Sequence, residues 1–338
     1  FMLCRELLSM GEKVTLVCRP GSEIDKRSRE ANIPVLNLPL KGAADLNSAR
    51  KLAAYCEKND IGIIHAHLGR DYWTAVLAKL FNPKLKVVIT RHVLIPTKSS
   101  LLHKWIYSKI DKVIAVSQAV KKTLTNFPPK KIVTIYNGID TDRFATAQSG
   151  SLRKELDLAE NTRIVGMVGH VSPHKGHAIF IKSIPEITAN NPDTVFVVIG
   201  DDFKNGEYIS QLKNLDNRVH FLGPRANIPD LMKDLDVFVL ASANEPFGLV
   251  TVEAMASGTP VVATNSGGTV EIITDRETGI LIPPNDPSEL AKAVVRILND
   301  DELANKLRAN GQTRVRALFD LKTMAVNTVG VYREIERS

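Results

Sequence analysis

Cysteine is scarce in this chain, which has only Cys4, Cys18 and Cys56 among its 338 residues. The three are unevenly spaced and form no C-x-x-C pair, so they provide neither a disulfide framework nor the cysteine pattern of a zinc site. Because they lie in apolar or helical surroundings, we expect buried or half-buried free thiols and a protein of the reducing cytosol.

Long apolar runs are also missing, since no hydrophobic stretch reaches the roughly 18 residues of a membrane-spanning helix. The 44% hydrophobic and 24% charged fractions are typical of a globular chain, and the length suffices for two domains with separate cores. The net charge of +7 is too diffuse to predict nucleic-acid binding, and it suits an anionic substrate such as a nucleoside diphosphate.

Short β-branched runs alternate with helical stretches along the chain. This alternation predicts an α/β protein of Rossmann-like type, with parallel sheets covered by helices on both faces. The pattern pauses in the polar stretch 145–161, which follows the turn signal Asn137-Gly138. We therefore predict three parts, which are a first domain at 1–148, a second domain at 149–320 and a final helix at 321–338.

The chain opens inside an amphipathic helix, FMLCRELLSM, without an initiating methionine. We therefore expect a strand and a loop to precede Phe1. The first strand of the first domain is then missing, and the first strand that the sequence predicts is KVTLVCR at 13–19.

The stretch ASANEPFGLVTVEAMASGTPVVA, residues 241–263, organises the rest of the sequence. It follows a buried strand predicted at 237–240, and Pro246 and Gly248 interrupt the backbone before a helix predicted at 249–256. In open α/β sheets, the loop after the carboxyl end of a strand is the usual place for a ligand.

Glu245 and Glu253 lie on either side of this helix start. Their carboxylates accept hydrogen bonds from sugar hydroxyls, whereas the N–H groups of the turn 247–250 attract anionic oxygen. Phosphate donors and hydroxyl acceptors in one crevice predict a sugar nucleotide. The alternative is an ordinary β-turn-α unit with two solvated glutamates.

The spacing of Glu245 and Glu253 resembles the E-x7-E signature of retaining glycosyltransferases with the GT-B fold. The string EPFGLVTVEAMASGTPVVAT is similar to the whole family 4 version, and V-x-I-Y-N-G-I-D-x-x-x-F resembles the end of the family's first domain. The resemblance implies two Rossmann-like domains that face each other across a cleft, with a C-terminal helix that crosses back to the first domain. It also implies that the segment before Phe1 contains a glycine-rich turn near the donor phosphate.

A second motif, RIVGMVGHVSPHKGH, opens the second domain. Gly169 permits close backbone approach after a strand, and Lys175 precedes a helix start, where its ammonium can reach a diphosphate. The string is similar to the family's G-R-x-x-x-x-K-G segment, in which the arginine and the lysine hold the leaving diphosphate. His170 replaces that arginine, and an imidazole is charged only part of the time near neutral pH. Three explanations stay open: weaker donor binding, phosphate neutralisation shared with Arg225 or another nearby basic residue, or a shifted register.

The resemblance also assigns roles to the other site residues. Glu253 would bind ribose hydroxyls and Glu245 the donor sugar, while Lys175 and the amides near the helix start would stabilise the leaving diphosphate. The predicted catalytic residues are Glu245, Lys175 and His92. The predicted donor-binding residues are Gly169, His170, Lys175, Arg225, Phe247, Gly248, Leu249, Val250 and Glu253.

Three histidines of the first domain follow predicted strands. His92 matches the family position of a histidine that faces the donor sugar, and its alternative is a loop histidine bonded to backbone. His65 and His67 could be taken for a metal pair, but the segment turns into a loop there and structural or loop histidines are favoured. Because we see no D-x-D or His/Cys cluster whose spacing is convincing for metal ligands, we expect no metal and no other cofactor.

The segment SSLLHKWIYSKIDK, residues 99–112, predicts a basic amphipathic helix. Such a helix can lie on a membrane interface, where lysines face the headgroups and leucine and tryptophan face the acyl chains. It can equally pack one side on the core and leave the other in solvent. The frequency of amphipathic helices in globular domains favours the core-facing helix, and peripheral membrane contact through residues 99–112 stays open as the alternative.

The resemblance implies a retaining, metal-independent glycosyltransferase of hexosyltransferase type. It would move a sugar from a nucleotide-diphosphate donor to a saccharide or lipid-linked acceptor, in lipopolysaccharide or other cell-envelope glycan synthesis. We expect it in the cytoplasm, peripheral on the inner face of the membrane and without nucleic acid. A glycosidase also uses two carboxylates but needs no diphosphate site. Two alternatives stay open: a GT-B protein that binds a sugar nucleotide without transferring it, and a GT-B sugar-nucleotide epimerase.

Overall fold

The computed structural model describes residues 1–337 and divides the chain into two compact units. The first unit combines Phe1–Gly138 with the segment from Leu321 onward, and the second unit is Ile139–Asp320. The division precedes the sequence-predicted boundary at 148 because the N–H of Ile139 donates to the carbonyl of Phe319 at 2.9 Å. This bond ties the start of the second unit to its end.

Residues 1–138 contribute six strands that pair in parallel and form two sheets. Strand β1 (Leu16–Cys18) pairs with β2 (Val35–Asn37). The second sheet consists, in spatial order, of β3 (Ile63–Ala66), β4 (Lys86–Arg91), β5 (Lys112–Ala115) and β6 (Ile132–Thr134). The helices between them are α1 (Met2–Ser9), α2 (Glu23–Glu30), α3 (Leu46–Lys58), α4 (Asp71–Phe81), α5 (Leu101–Lys109) and α6 (Gln118–Lys121).

Short polar side chains cap the N-termini of four of these helices. Ser22, Asp45, Ser100 and Ser117 each accept a hydrogen bond from the N–H three residues further along the chain. An N-cap of this type satisfies one of the backbone donors that the first helical turn leaves without a partner. The helix that Ser117 caps, α6, spans only four residues.

The second unit is one six-stranded parallel sheet with helices between its strands. Its strands are β7 (Arg163–Val168), β8 (Thr194–Ile199), β9 (Val219–Gly223), β10 (Val237–Leu240), β11 (Val261–Thr264) and β12 (Ile280–Ile282). Its helices are α7 (Thr141–Ala145), α8 (Ser151–Glu155), α9 (His177–Asn190), α10 (Glu207–Lys213), α11 (Ile228–Lys233), α12 (Leu249–Ala256), α13 (Thr269–Ile272), α14 (Pro287–Asn299) and α15 (Asp301–Leu318). The spatial order of the strands is β12-β11-β10-β7-β8-β9.

The core of the second unit lies on both faces of this sheet. All four residues of β10 are buried, as expected for a parallel strand that helices cover on both sides. On one face, Phe180 of α9 and Val294 of α14 pack in a cluster with Phe196 of β8 and Val239 of β10. A rigid sheet of this type fixes the positions of the loops that leave its carboxyl edge.

The final helix, α16 (Leu321–Glu336), belongs to the first unit. Its residues Val331 and Ile335 are buried against Val88 and Ile114 of the four-stranded sheet. Further along, α16 packs against α1, with Ala325 and Val329 in one cluster with Leu7. The last helix of the sequence thus completes the hydrophobic core of the first unit.

Candidate functional site

The strand order of the second unit reverses between β7 and β10. The chain runs from β7 through β8 and β9 on one side, and from β10 through β11 and β12 on the other. The crevice at the carboxyl ends of two such strands is where open α/β sheets bind ligands. The predicted Lys175 segment follows β7 and the predicted Glu245 loop follows β10, so both emerge at this switch point.

Two glycines bring the segment after β7 into close contact with its neighbours. A Cβ on Gly176, which has a φ of +75°, would lie 2.1 Å from the carbonyl oxygen of Ala241 just past β10. A Cβ on Gly200 would similarly lie 1.9 Å from the carbonyl oxygen of Gly169. Only glycine permits these approaches, and they fix the turn that carries Lys175 next to the end of β10.

Lys175 and Glu245 form an ion pair. The Lys175 Nζ donates to Oε2 of Glu245 at 2.8 Å, and the two side chains are 34% and 11% exposed. The ammonium therefore still reaches solvent, whereas the carboxylate is mostly enclosed. A buried carboxylate without such a partner would carry a large desolvation cost.

The loop that carries Glu245 rests on a glycine pair. The N–H of Gly268 donates to the Glu245 carbonyl at 2.7 Å. A Cβ on Gly267 would lie 2.2 Å from that same carbonyl oxygen, and a Cβ on Gly268 would lie 2.5 Å from the Pro246 carbonyl oxygen. Gly267 and Gly268 thus fix the position of the Glu245 loop above the sheet.

Helix α12 begins at Gly248, which has a φ of +107° and offers no side chain to cap the helix. The N–H groups of the first turn then depend on other partners, and the positive end of the helix dipole lies there. Phe247 is 2% exposed and packs edge-on against Phe319, so its side chain serves the core and only its backbone can face a ligand. Leu249 and Val250 form the first turn and are partly exposed.

Glu253 lies one turn into α12 and is partly buried. Burial raises the pKa of its carboxyl to about 6, and the positive charge of Arg143 in α7 opposes that rise. The group therefore titrates near the lower end of the physiological range. A carboxylate that is this easily protonated is a good hydrogen-bond partner for hydroxyl groups, in either protonation state.

His170 is paired with Asp201 at the ends of β7 and β8. The distance between His170 Nδ1 and Asp201 Oδ1 is 2.8 Å, and this hydrogen bond lowers the pKa of the Asp201 carboxyl. Both side chains are well exposed. The hydrogen bond at Nδ1 leaves the other ring nitrogen of His170 for a further partner.

Arg225 follows β9, and its guanidinium binds Glu155 of α8 at 2.6 Å. Its positive charge is thus already shared with a carboxylate of the same unit. Phosphate neutralisation by Arg225, one of the three explanations for His170, would require this ion pair to open or to be shared.

Three of the four histidines of the first unit, His65, His67 and His92, lie at the carboxyl ends of β3 and β4. His65 binds the Tyr332 hydroxyl at 2.6 Å and the Thr90 hydroxyl at 2.7 Å, so both of its ring nitrogens have partners. Burial, with smaller effects from its two histidine neighbours, lowers its pKa well below the ordinary range. His67 Nδ1 and His92 Nε2 are 3.3 Å apart and both residues are exposed. His65 is a structural histidine, and the sugar-facing role of His92 stays a prediction.

Residues 1–337 contain no group of three or more histidine, cysteine, aspartate or glutamate side chains arranged to hold a metal ion. Within the same residues, no helix combines the length and the apolar character needed to cross a bilayer. The charged groups described above at the switch point are the ion pair of Lys175 and Glu245, the pair of His170 and Asp201, and Glu253. They offer cations for an anionic group and carboxylates for hydroxyls.

Three residues of this region were not predicted from the sequence. Asp201 follows β8, and its position just after a strand is the sequence feature that could have indicated a role in the site. Gly268 lies in a glycine pair that indicates a turn in the sequence, but its contact with the Glu245 loop is seen only in the structure. Arg143 lies before the predicted domain boundary and reaches Glu253 only because α7 packs on α12.

Two family models match the chain. The model described as glycosyl transferases group 1 matches residues 148–314, and the model described as glycosyltransferase family 4 matches residues 1–143. Together they cover both units, and the first contains every site residue of the second unit named here except Arg143.

Relatives and solved structures agree with these models. The chain is 31% identical to the lipopolysaccharide core biosynthesis mannosyltransferase LpsB of Rhizobium meliloti, over 81% of this chain and 79% of that protein. It is 28% identical to the UDP-Gal:alpha-D-GlcNAc-diphosphoundecaprenol alpha-1,3-galactosyltransferase of Escherichia coli, over 91% and 85% of the two chains. The crystal structure of Anabaena HepE in complex with UDP and glucose matches at a TM-score of 0.82 and 25% identity, over 98% and 95% of the two chains. The chain therefore belongs to the group 1, family 4 glycosyltransferases and has the GT-B fold.

Proposed function

We propose that this glycosyltransferase transfers a sugar with retention of anomeric configuration, without a metal ion, from a nucleotide-diphosphate donor. The observation that carries the proposal is the ion pair of Lys175 and Glu245 at the switch point of the second unit. It places a cation and a carboxylate side by side where a sheet of this type binds nucleotides.

The cation suits the leaving group. When the bond between the anomeric carbon and the diphosphate breaks, negative charge develops on the phosphate oxygens. Lys175 and the amides at the start of α12 are preorganised to meet that charge, and each such donor is worth about 3 kcal/mol in the transition state. Fixed donors of this kind make a metal ion dispensable.

The carboxylates suit the hydroxyl groups of the donor. Glu245 is held by Lys175 and by the glycine pair, so its orientation toward a sugar hydroxyl is fixed before the donor arrives. Glu253 lies further into α12 and is proposed to bind the ribose. His92 of the first unit remains the predicted third catalytic residue. Retention follows if the acceptor hydroxyl attacks the anomeric carbon on the face from which the diphosphate leaves, with the leaving phosphate taking the acceptor proton.

The names of relatives indicate the class of substrate. One relative is a UDP-Gal transferase that acts on a diphosphoundecaprenol-linked sugar, another is named for lipopolysaccharide core synthesis, and HepE was crystallised with UDP. We extend this to a nucleotide sugar as donor and a saccharide or lipid-linked saccharide as acceptor, in cell-envelope glycan synthesis. A lipid-linked acceptor would be met at the inner face of the membrane, with segment 99–112 as the contact.

Calorimetry with UDP-, GDP- and ADP-sugars, followed by an assay for nucleoside diphosphate release, tests the proposal. Micromolar binding of one donor class and release that accelerates with an added acceptor are expected. Binding without release or transfer would instead indicate a sugar-nucleotide-binding protein. Interconversion of a UDP-sugar in the absence of acceptor would indicate an epimerase.

Retention and metal independence need separate measurements. The proton NMR spectrum of the product should show the anomeric configuration of the donor, and turnover should be unchanged after treatment with EDTA. An inverted product would contradict retention, and activity restored only by a divalent cation would contradict metal independence.

A further inference from the structure

Positive charge is concentrated in one stretch of the first unit. Residues 72–139 contain twelve lysines and arginines but only one acidic residue, Asp111. Because the whole chain carries +7, the remainder of the chain is net acidic. The modest total charge therefore hides a strong asymmetry, which is the kind of feature that attracts an anionic partner.

Little of this charge is neutralised within the protein. Oδ2 of Asp111 accepts hydrogen bonds from Lys79 Nζ at 2.5 Å and from the N–H of Val87 at 2.7 Å. Lys112 pairs with Glu334 of α16. Among the described residues, no ion pair is formed by Lys98, Lys104, Lys109, Lys121, Lys122 or Lys130, all of which are exposed.

Helix α5 lies within this basic stretch, and its inner side is firmly anchored. Ile106 is buried, His103 packs edge-on against Trp73, and Tyr107 contacts Phe127. The ammonium of Lys131 also donates to the carbonyls of Ser108 and Ile110 at the end of the helix. One side of α5 therefore packs on the core of the first unit.

The outer side of α5 is apolar where a helix that only packs on the core would be polar. Leu101 is 87% exposed, Leu102 57% and Trp105 39%. Since Trp105 follows the leucines by four and three residues, the three side chains adjoin on one face of the helix. Lys104 and Lys109 flank that face, and Lys98 precedes it.

We propose that this α5 surface, which we define as Leu101, Leu102 and Trp105 with Lys98, Lys104 and Lys109, docks on an anionic lipid bilayer. Leucines enter the acyl boundary, tryptophan occupies the interface, and lysines keep their ammonium groups among the headgroups. An acidic protein or a nucleic acid would use the lysines but would leave two leucines at the helix start in water. The inference deepens the membrane contact in the proposed function, but it requires no transfer activity and can hold if that function fails.

Vesicle sedimentation of the whole chain tests the proposal in the absence of donor and acceptor. The probes are phosphatidylcholine vesicles with and without phosphatidylglycerol. We expect binding to the phosphatidylglycerol vesicles that weakens with added salt, because the ammonium groups contribute electrostatically. No binding to the anionic vesicles, or equal binding to both kinds, would overturn the proposal.

Two variants separate the apolar and the charged parts of the surface. The pair L101S and L102S, and separately the triple change K98Q, K104Q and K109Q, should each weaken binding at least about tenfold. The matched controls lie on or beside α3 of the same unit: L46S, whose leucine is 56% exposed at a helix start, and the triple change K41Q, K51Q and K58Q. Controls that weaken binding as much as the α5 variants would overturn the assignment to α5.

Tryptophan fluorescence gives a readout specific to this surface. The sequence contains two tryptophans, Trp73 and Trp105, so a W73F background isolates the one on α5. Its emission should shift to the blue on addition of anionic vesicles, because the indole moves from water to the interface. Sedimentation with the vesicles but an unchanged Trp105 spectrum would place the contact elsewhere and overturn the proposal.

Discussion

Lys175 and Glu245 lie 70 residues apart in sequence, yet their side chains form a hydrogen-bonded ion pair of 2.8 Å. They follow β7 and β10, the two neighbouring strands between which the order of the sheet reverses. The pair thus joins the two loops that border the switch point. Its lysine is partly exposed and its carboxylate mostly enclosed, so the lysine is the member that can turn toward a ligand.

Breaking this pair should affect both stability and turnover. We expect K175M and E245Q each to lower the free energy of unfolding by about 1–2 kcal/mol, because either change removes the partner of an enclosed polar group. The double variant should lose less than the sum of the two, with a coupling near 1 kcal/mol. Denaturant unfolding of the four proteins measures the cycle.

Turnover separates the role in folding from the role in transfer. K175M and E245Q should each reduce nucleoside diphosphate release about 100-fold or more at saturating donor. The conservative control is E160Q, which neutralises an exposed glutamate of the same unit. Near-normal turnover in E245Q would remove Glu245 from the site.

The glycine pair below the Glu245 loop gives a second prediction. G268A adds a methyl group whose carbon would lie 2.5 Å from the Pro246 carbonyl oxygen, so the loop must shift. Gly268 is the better choice than Gly267, because its φ is not positive and the effect is purely steric. Turnover should fall at least about tenfold through displacement of Glu245, with a smaller effect on nucleotide affinity.

The control for this change is G330A in α16. Gly330 is exposed, and a Cβ there meets no atom within 4 Å. Alanine in a helix interior should stabilise the first unit by about 0.5–1 kcal/mol, visible as a higher thermal midpoint. If G268A retained full turnover, the Glu245 loop would not depend on the glycine pair.

The sequence specified the sheet of the second unit well because its strands are short, fully buried and rich in β-branched residues. The predicted strand at 237–240 and helix at 249–256 coincide with β10 and α12. Hydrophobic runs of this kind can fill only the interior of a covered parallel sheet. The positions of Glu245 and Glu253, on either side of the start of α12, follow from these two elements.

Other features depend on contacts that no local pattern encodes. Helix α2 went unpredicted because EIDKRSRE has a single apolar residue, Ile24, and is started by the side-chain cap of Ser22. The partner of His170 is Asp201, which only the pairing of β7 with β8 brings within 2.8 Å. The ion pair of Lys175 and Glu245 likewise requires the strand order, because sequence gives the strands but not their neighbours.

The raised pKa of Glu253 predicts a pH-dependent stability. The pKa rises from 4.5 to about 6 on folding, so the folded state holds this proton more tightly than the unfolded state. The resulting stabilisation is complete below pH 4.5 and is lost as the pH rises through 6. Above that pH the enclosed carboxylate costs about 2 kcal/mol relative to its protonated form.

E253Q should remove this dependence because the amide does not ionise. The stability of E253Q relative to the unaltered protein should therefore increase by about 2 kcal/mol between pH 4.5 and pH 7.5. Denaturant unfolding at several pH values provides the measurement, with E160Q as the exposed control. Parallel pH profiles for E253Q and the unaltered protein would show that Glu253 is not the titrating group.

His170 offers the last test, since the resemblance to the family 4 glycosyltransferases implies an arginine at its position. If this position faces the diphosphate, H170R should strengthen binding of the donor nucleotide about three- to tenfold, because arginine provides a permanent charge and a bidentate fork. H174R also replaces a histidine by arginine, four residues away on an exposed side chain, and should give a smaller change. Equal effects of the two substitutions in calorimetric titrations would mean that His170 has no specific contact with the phosphates.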